Sequence, residues 1–315
     1  VAIFKRMAAK ADVIVENYRP SVKHRLGIDY ETLRRDNRGL IYASISGFGQ
    51  DGPLADRPGF DQILQGMGGL MSITGEPGQG PMRVGIPIAD LCSGLLASQG
   101  IMLALLKRER TGEGQWVQCS LLQAQAFMLD FQAARWLMDG DVPGQAGNDH
   151  PTSIPTGVFK TSDGYINIAA SGGTMWERLR DHMGDQRLHA DKFASAEARS
   201  DNRKALNAIL NECTAQKTSA HWVETLNGVG VPCGEINTID KVFENPQMQH
   251  LGMAWDVDSQ ERGKSKLVGQ PITLSGSKAS ITAPPPTIGQ HTREVLGEFG
   301  YGASEIDEFE AAGVI

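Results

Sequence analysis

Apolar and polar residues along this chain change their spacing several times, and each change marks an element. Residues 1–11 carry apolar positions at helical spacing and predict an amphipathic helix already in mid-stride at Val1. Residues 12–17 (DVIVEN) and 40–46 (LIYASIS) are short runs rich in branched residues and predict buried strands. Residues 21–37 between them are helical in pattern. Strand, helix, strand in that order predicts a parallel pair joined by a crossover. Gly and Pro then set loops at 47–53 and 57–59, before a helix from about Phe60 to Gly66. After a turn-rich stretch at 75–81, residues 83–89 read as a strand that hands over at Asp90 to a long helix reaching about Arg110. Small residues at 93, 94, 97, 98 and 100 would let that helix lie very close to a neighbour. TGEG at 111–114 breaks it, 115–119 has strand character, and Ser120 is the expected N-cap of a second long helix to about Asp139.

The texture then changes. Residues 141–156 are rich in Gly, Pro, Asn and Asp and read as a linker. A hairpin with an Asp163-Gly164 turn follows at 157–170, then helices to about Val229, strand-like 231–236 and a helix near 240–245. Short strands are expected around 255–283, and a final pair of helices at about 292–312. The organisation is therefore α/β: a large domain over 1–140, the linker, a smaller α+β domain over 157–250, and a C-terminal stretch, 251–315, that returns to the large domain. No tandem repeat is visible.

Composition narrows the function classes. The chain has 315 residues, enough for one large or two medium domains, and a net charge of −7. No basic run exceeds residues 107–110 (KRER), so there is no nucleic-acid footprint. No unbroken apolar run reaches the roughly 18 residues of a membrane span. The four cysteines form no CxxC pair and read as buried free thiols of a reducing compartment, which places the protein in the cytoplasm. The histidines are scattered, and no metal site is expected.

Several positions offer chemistry, each with a structural alternative. Asp90, at a strand-to-helix turn, is an N-cap or an ionised nucleophile at the positive end of a helix. Residues 47–52 (GFGQDG) are a plain loop or a loose phosphate cradle, without the Lys-Ser/Thr of a P-loop. Ser171, Gly172 and Gly173 open a helix and either close over a ligand or serve as an ordinary turn. Asn17, Tyr18 and Arg19, at the end of a strand, place an amide, an aromatic face and a guanidinium together, suited to a nucleotide or to a solvated turn. Cys119 lacks a basic neighbour in sequence, Ser93 and Ser98 lack a GxSxG frame, and Asp130 and Asp139 read as exposed charges.

Taken together the motifs resemble one family. VENYRP at 15–20 with RLG at 25–27, FDQILQGMGG at 60–69, PIAD at 87–90, TGEGQ at 111–115, GVPCG at 230–234 and PPTIGQHT at 285–292 are similar, in this order, to the class III CoA-transferases. The resemblance implies a Rossmann-like large domain, a smaller domain and an interlocked homodimer. It implies transfer of coenzyme A from an acyl-CoA to a carboxylic acid, through aspartyl anhydride and aspartyl-CoA thioester intermediates on Asp90. It implies CoA contacts at Asn17, Tyr18, Arg19, Arg25, Pro58, Gly59, Phe60 and Asp61, and a covering loop at Ser171, Gly172 and Gly173. Members usually carry roughly 70–80 further residues before the point corresponding to Val1, in keeping with the mid-stride opening. A Lys that touches CoA in some members falls near Pro58, where Arg57 offers the charge with different geometry. The alternatives are an acyl-CoA α-racemase of the same fold or a non-catalytic CoA-binding relative. Racemisation needs an acid and a base on opposite sides of the α-carbon, and the position of the second group is Phe60, which moves no proton.

Overall fold

The computed structural model describes residues 1–259 and 261–315. The chain divides into two compact units, one of Val1–Val158 with Ala169–Ile209, the other of Phe159–Ile168 with Leu210–Ile315.

The first unit opens with α1 (Ala2–Ala8), β1 (Val13–Glu16), α2 (Pro20–Leu26), α3 (Tyr30–Leu33) and β2 (Ile41–Ser46). The single helix expected over 21–37 is two. Gly27 stops α2 at φ 62°, a left-handed conformation suited to glycine, and the Asp29 side chain caps α3 by accepting from Thr32 N. Next come α4 (Asp61–Met67), α5 (Leu70–Ile73), α6 (Ile88–Thr111), β3 (Trp116–Ser120), α7 (Leu121–Met128) and α8 (Phe131–Asp139). The second long helix is also divided, at Asp130, whose φ of 47° is incompatible with a continuing helix.

β1, β2 and β3 form a parallel sheet in that order, with Val15 opposite Ala43 and Ala43 opposite Val117. β2 is central and buried almost throughout, as a parallel strand covered on both faces must be. Tyr42 packs one face with Ala8, Tyr30, Leu33 and Leu40. Ile45 joins Leu64, Ala89 and Leu121 in a second cluster.

α6 lies against β2, β3, α4 and α7. Ser93, Ala97 and Ala104 are buried, and a Cβ on Gly100 would stand 2.7 Å from Val117 Cγ1. That spacing is the close approach the small residues predicted, although Gly94 faces open space and Ser98 is exposed. The opposite side shows Leu91, Leu95, Met102, Leu103 and Leu106 to solvent, Leu95 with 67% of its surface exposed. By length and composition α6 is apolar enough to cross a membrane, which corrects the expectation that no segment would be. Its Ser, Gly and Gln residues interrupt the run and hid it from a search for unbroken apolar stretches.

The rest of the first unit includes β4 (Thr156–Lys160) up to Val158, the end of β5 (Tyr165–Ala169), α9 (Gly173–Met183), α10 (Ala196–Asp201) and the start of α11 (Arg203–Thr214). In the second unit the expected hairpin is present: Thr161 N donates to Gly164 O, and the Asp163 carboxylate accepts from Ser219 N. There α12 (Ser219–Gly228) precedes β6 (Cys233–Glu235), which pairs antiparallel with β5. α13 (Ile239–Glu244), α14 (Pro246–His250), the antiparallel pair β7 (Ala254–Ser259) and β8 (Gly263–Val268), then α15 (Thr292–Glu298) and α16 (Ala303–Ala311) complete it.

Candidate active site

The segment before α6 departs from expectation. Residues 83–87 form no strand, and α6 starts at Ile88 with Pro87 in the N-cap position. Asp90 is therefore in the first helical turn and is not the N-cap. Pro87 has no donor, and the segment's polar groups are met by a side chain instead of a neighbouring strand. Val84 N donates to Gln65 Oε1 at 2.9 Å, and Gln65 Nε2 donates to Ile86 O at 3.1 Å. The same Nε2 donates to Asp61 Oδ2 at 2.7 Å, and Asp61 Oδ1 accepts from Ala89 N at 2.8 Å. Asp61, from the start of α4, thus caps α6 in place of Pro87, an interaction of about 1 kcal/mol for a typical cap.

Asp90 opens into a cleft of about 620 Å³ lined by Asn17, Arg19, Ile45, Ser46, Gly47, Pro58, Gly59, Phe60, Ser93 and Leu121. No hydrogen bond from the described residues holds the Asp90 carboxylate. Partial burial, and secondarily the Asp61 charge, hold its carboxyl above the ordinary value. The cleft lies beyond the carboxyl ends of β1 and β2, where open α/β sheets collect ligands.

Two glycines shape its floor. A Cβ on Gly47 would sit 3.0 Å from Gly59 Cα, and one on Gly59 would meet Gly47, Leu64 and Phe48 at 3.0–3.1 Å. The glycine at the start of the 47–52 loop is thus required by two backbones passing in contact.

The loop after β1 rests on a buried ionic network. Lys23, fully buried, donates to Glu16 Oε1 and to Ser44 Oγ, each at 2.9 Å, and to Gln50 Oε1. Its ammonium also lies 4.9 Å from the Trp116 ring centre. Glu16 Oε2 accepts from Tyr18 N at 2.7 Å, which fixes the turn that presents Asn17 and Arg19. Ser46 Oγ accepts from Gly49 N and Gln50 Nε2, each at 3.1 Å. Arg19 Nη1 reaches Asp56 O at 3.4 Å.

Of the residues singled out in the sequence, the cleft gathers Asn17, Arg19, Pro58, Gly59, Phe60 and Asp90. Tyr18, Arg25, Asp61, Ser171, Gly172 and Gly173 are not in its lining. Ser171 O accepts from Nη2 of the buried Arg199 at 3.1 Å. Gly172 and Gly173 have no positive φ, and a Cβ on Gly173 meets nothing. The lining also includes Gly47, read in the sequence as part of a plain loop or a loose phosphate cradle, Ser93, set aside there for want of a GxSxG frame, and Ile45, Ser46 and Leu121, which sequence reasoning missed. For those three the signal was positional: Ile45 and Ser46 close β2 and Leu121 opens α7. Burial pushes the Cys119 thiol up, the opposite of what a nucleophilic cysteine needs.

Known proteins share this fold. A CaiB/BaiF family protein from Brucella suis superposes with a TM-score of 0.83 at 36% identity, over 95% of this chain and 78% of that one. The architecture is thus an α/β fold of that structural group. Residues 1–292 match CoA-transferase family III, and the chain belongs to that family. The succinyl-CoA:glutarate CoA-transferase of Mus musculus is 37% identical over all of this chain and 73% of its own length. The acetyl-CoA:oxalate CoA-transferase of Acetobacter aceti is 37% identical over 87% of this chain and 70% of its own. The protein is accordingly an enzyme of the CoA-transferase class.

Proposed function

We propose that this protein moves CoA from an acyl-CoA donor to a small dicarboxylic acid, with Asp90 as nucleophile. The observation that carries the reading is an Asp90 carboxylate without hydrogen-bond donors among the described residues, sharing one cleft with Arg19 and Asn17. The substrates of the glutarate and oxalate transferases it resembles favour a dicarboxylate acceptor.

In this scheme one Asp90 oxygen adds to the thioester carbonyl. The C–S bond breaks, leaving an acyl-aspartyl anhydride and CoA thiolate. The thiolate attacks the aspartyl carbonyl and expels the donor carboxylate, which gives an aspartyl-CoA thioester. The acceptor carboxylate attacks that carbonyl and expels the thiolate. Attack of the thiolate on the acceptor's carbonyl then releases the new acyl-CoA and restores Asp90. Carboxylate and thiolate exchange in every step, so no proton moves and no acid is required. Phe60 in the lining suits such chemistry and is unsuited to racemisation. A carboxylate with a raised pKa is, once ionised, a stronger nucleophile.

Asn17, Arg19, Pro58, Gly59 and Phe60 are the cleft residues we assign to CoA contact, with Tyr18 and Arg25 reached from its margin. We assign Ser171, Gly172 and Gly173 as a covering loop. A Cβ on Gly172 would crowd Met175 Cε at 3.1 Å, whereas one on Gly173 meets nothing, which leaves room for a ligand to approach that backbone. The working molecule in this reading is an interlocked homodimer with a Rossmann-like large domain, supported by the parallel sheet and by the apolar outer side of α6. Four free cysteines favour the cytoplasm.

The test is chemical. Incubation with succinyl-CoA, reduction with borohydride and peptide mapping should place the modification on Asp90, and Asp90→Ala should abolish both adduct and transfer. Transfer by Asp90→Ala at the wild-type rate would refute the assignment.

A further inference from the structure

The segment that delivers Asp90 to the cleft has no sheet to hold it. Residues 83–87 lack strand pairing, Gly85 and Pro87 leave them little intrinsic preference, and the first turn of α6 has no cap of its own. One side chain supplies what the backbone lacks. Gln65 is fully buried one helical turn beyond Asp61 on the same face of α4. Its amide takes the Val84 N–H, gives to the Ile86 carbonyl and gives to Asp61 Oδ2. Asp61 passes the constraint on through its other oxygen to Ala89 N, the residue before Asp90.

We propose that Gln65 is a positioning residue for Asp90, its amide fixing both the 84–86 segment and the Asp61 carboxylate that caps α6. Among the described residues no side chain besides Gln65 and Asp61 binds the backbone of residues 84–89. The inference rests on Asp90 being the nucleophile, and concerns how that group is aimed rather than what it attacks. Gln65 is not in the cleft lining, so it acts without touching substrate.

Geometry of this kind shows in turnover more than in binding. Misplacing a reacting group by about 1 Å costs about 100-fold in rate. Gln65→Met keeps the buried volume and removes all three hydrogen bonds. It should lower kcat by about 100-fold with KM for succinyl-CoA little changed. Gln65→Asn keeps the amide on a side chain one methylene shorter, and should lose less.

The experiment combines kinetics, circular dichroism and crystallography on wild type, both variants and Asp90→Ala. The expected result is a kcat loss in a folded Gln65→Met protein, with the Asp90 carboxyl displaced and the later turns of α6 in place. Wild-type kcat in that variant, or an Asp90 that has not moved, would overturn the proposal. If Gln65→Met does not fold, Gln65→Asn carries the same readouts. Absence of an Asp90 adduct in wild type would strike the transferase mechanism alone, because the crystallographic position of Asp90 still decides whether Gln65 aims it.

Discussion

Asp61 and Asp90 stand on different helices, and the first controls the second in two ways. One Asp61 oxygen caps the helix that carries Asp90, and the Asp61 charge helps raise the Asp90 pKa. The group that steadies the nucleophile also makes it more basic.

A pH prediction follows. Transfer needs Asp90 ionised, so activity should fall on the acid side with an apparent pKa above that of an ordinary aspartate. Asp61→Asn removes the charge and should move that acid limb to lower pH, whatever happens to the height of the profile. A pH-rate profile with an unmoved or higher limb would disprove the coupling. Stability carries the reverse sign. The fold disfavours ionised Asp90, so its cost appears as pH rises through the unfolded-state pKa towards the raised folded one. Asp90→Asn should then be more stable than wild type at neutral pH by denaturant titration, an instance of stability given up for activity.

The Lys23–Glu16 pair is buried, its side chains 0% and 5% exposed. Breaking one partner of such a pair costs about 3–5 kcal/mol, because the other charge is left uncompensated. Lys23→Met should lose about that much in urea unfolding, and Lys23→Met with Glu16→Leu should recover much of it. A single variant as stable as wild type would show the pair to be dispensable.

The apolar outer side of α6 bears on assembly. Leu95 and Leu106, each more than half exposed, are too apolar a surface to leave in water along a long helix. Sedimentation of the wild type should give a dimer, and Leu95→Glu with Leu106→Glu should yield monomer or aggregate. A wild type that sediments as monomer at micromolar concentration would end the dimer reading.

The chain's own pattern determined a good deal. Branched runs at 12–17 and 40–46 separated by helix gave β1 and β2, because a buried parallel strand has to be apolar on both faces. Small residues on α6 foretold its contact with β3 at Gly100, since only a missing side chain admits Val117 so near. The motifs shared with the transferases singled out Asp90 and half the cleft lining. Tertiary structure decided the rest. Residues 83–87 look like the start of a strand because Val84 and Ile86 are branched and alternate, but a strand needs a partner ladder, and here Gln65 takes its place. Asp61, expected at the CoA, is engaged within the protein through both oxygens. Ser93 and Leu121 reach the cleft only because α6 and α7 converge there. Periodicity reports which side of an element is buried; which polar groups meet across elements depends on distances in space that no local pattern encodes.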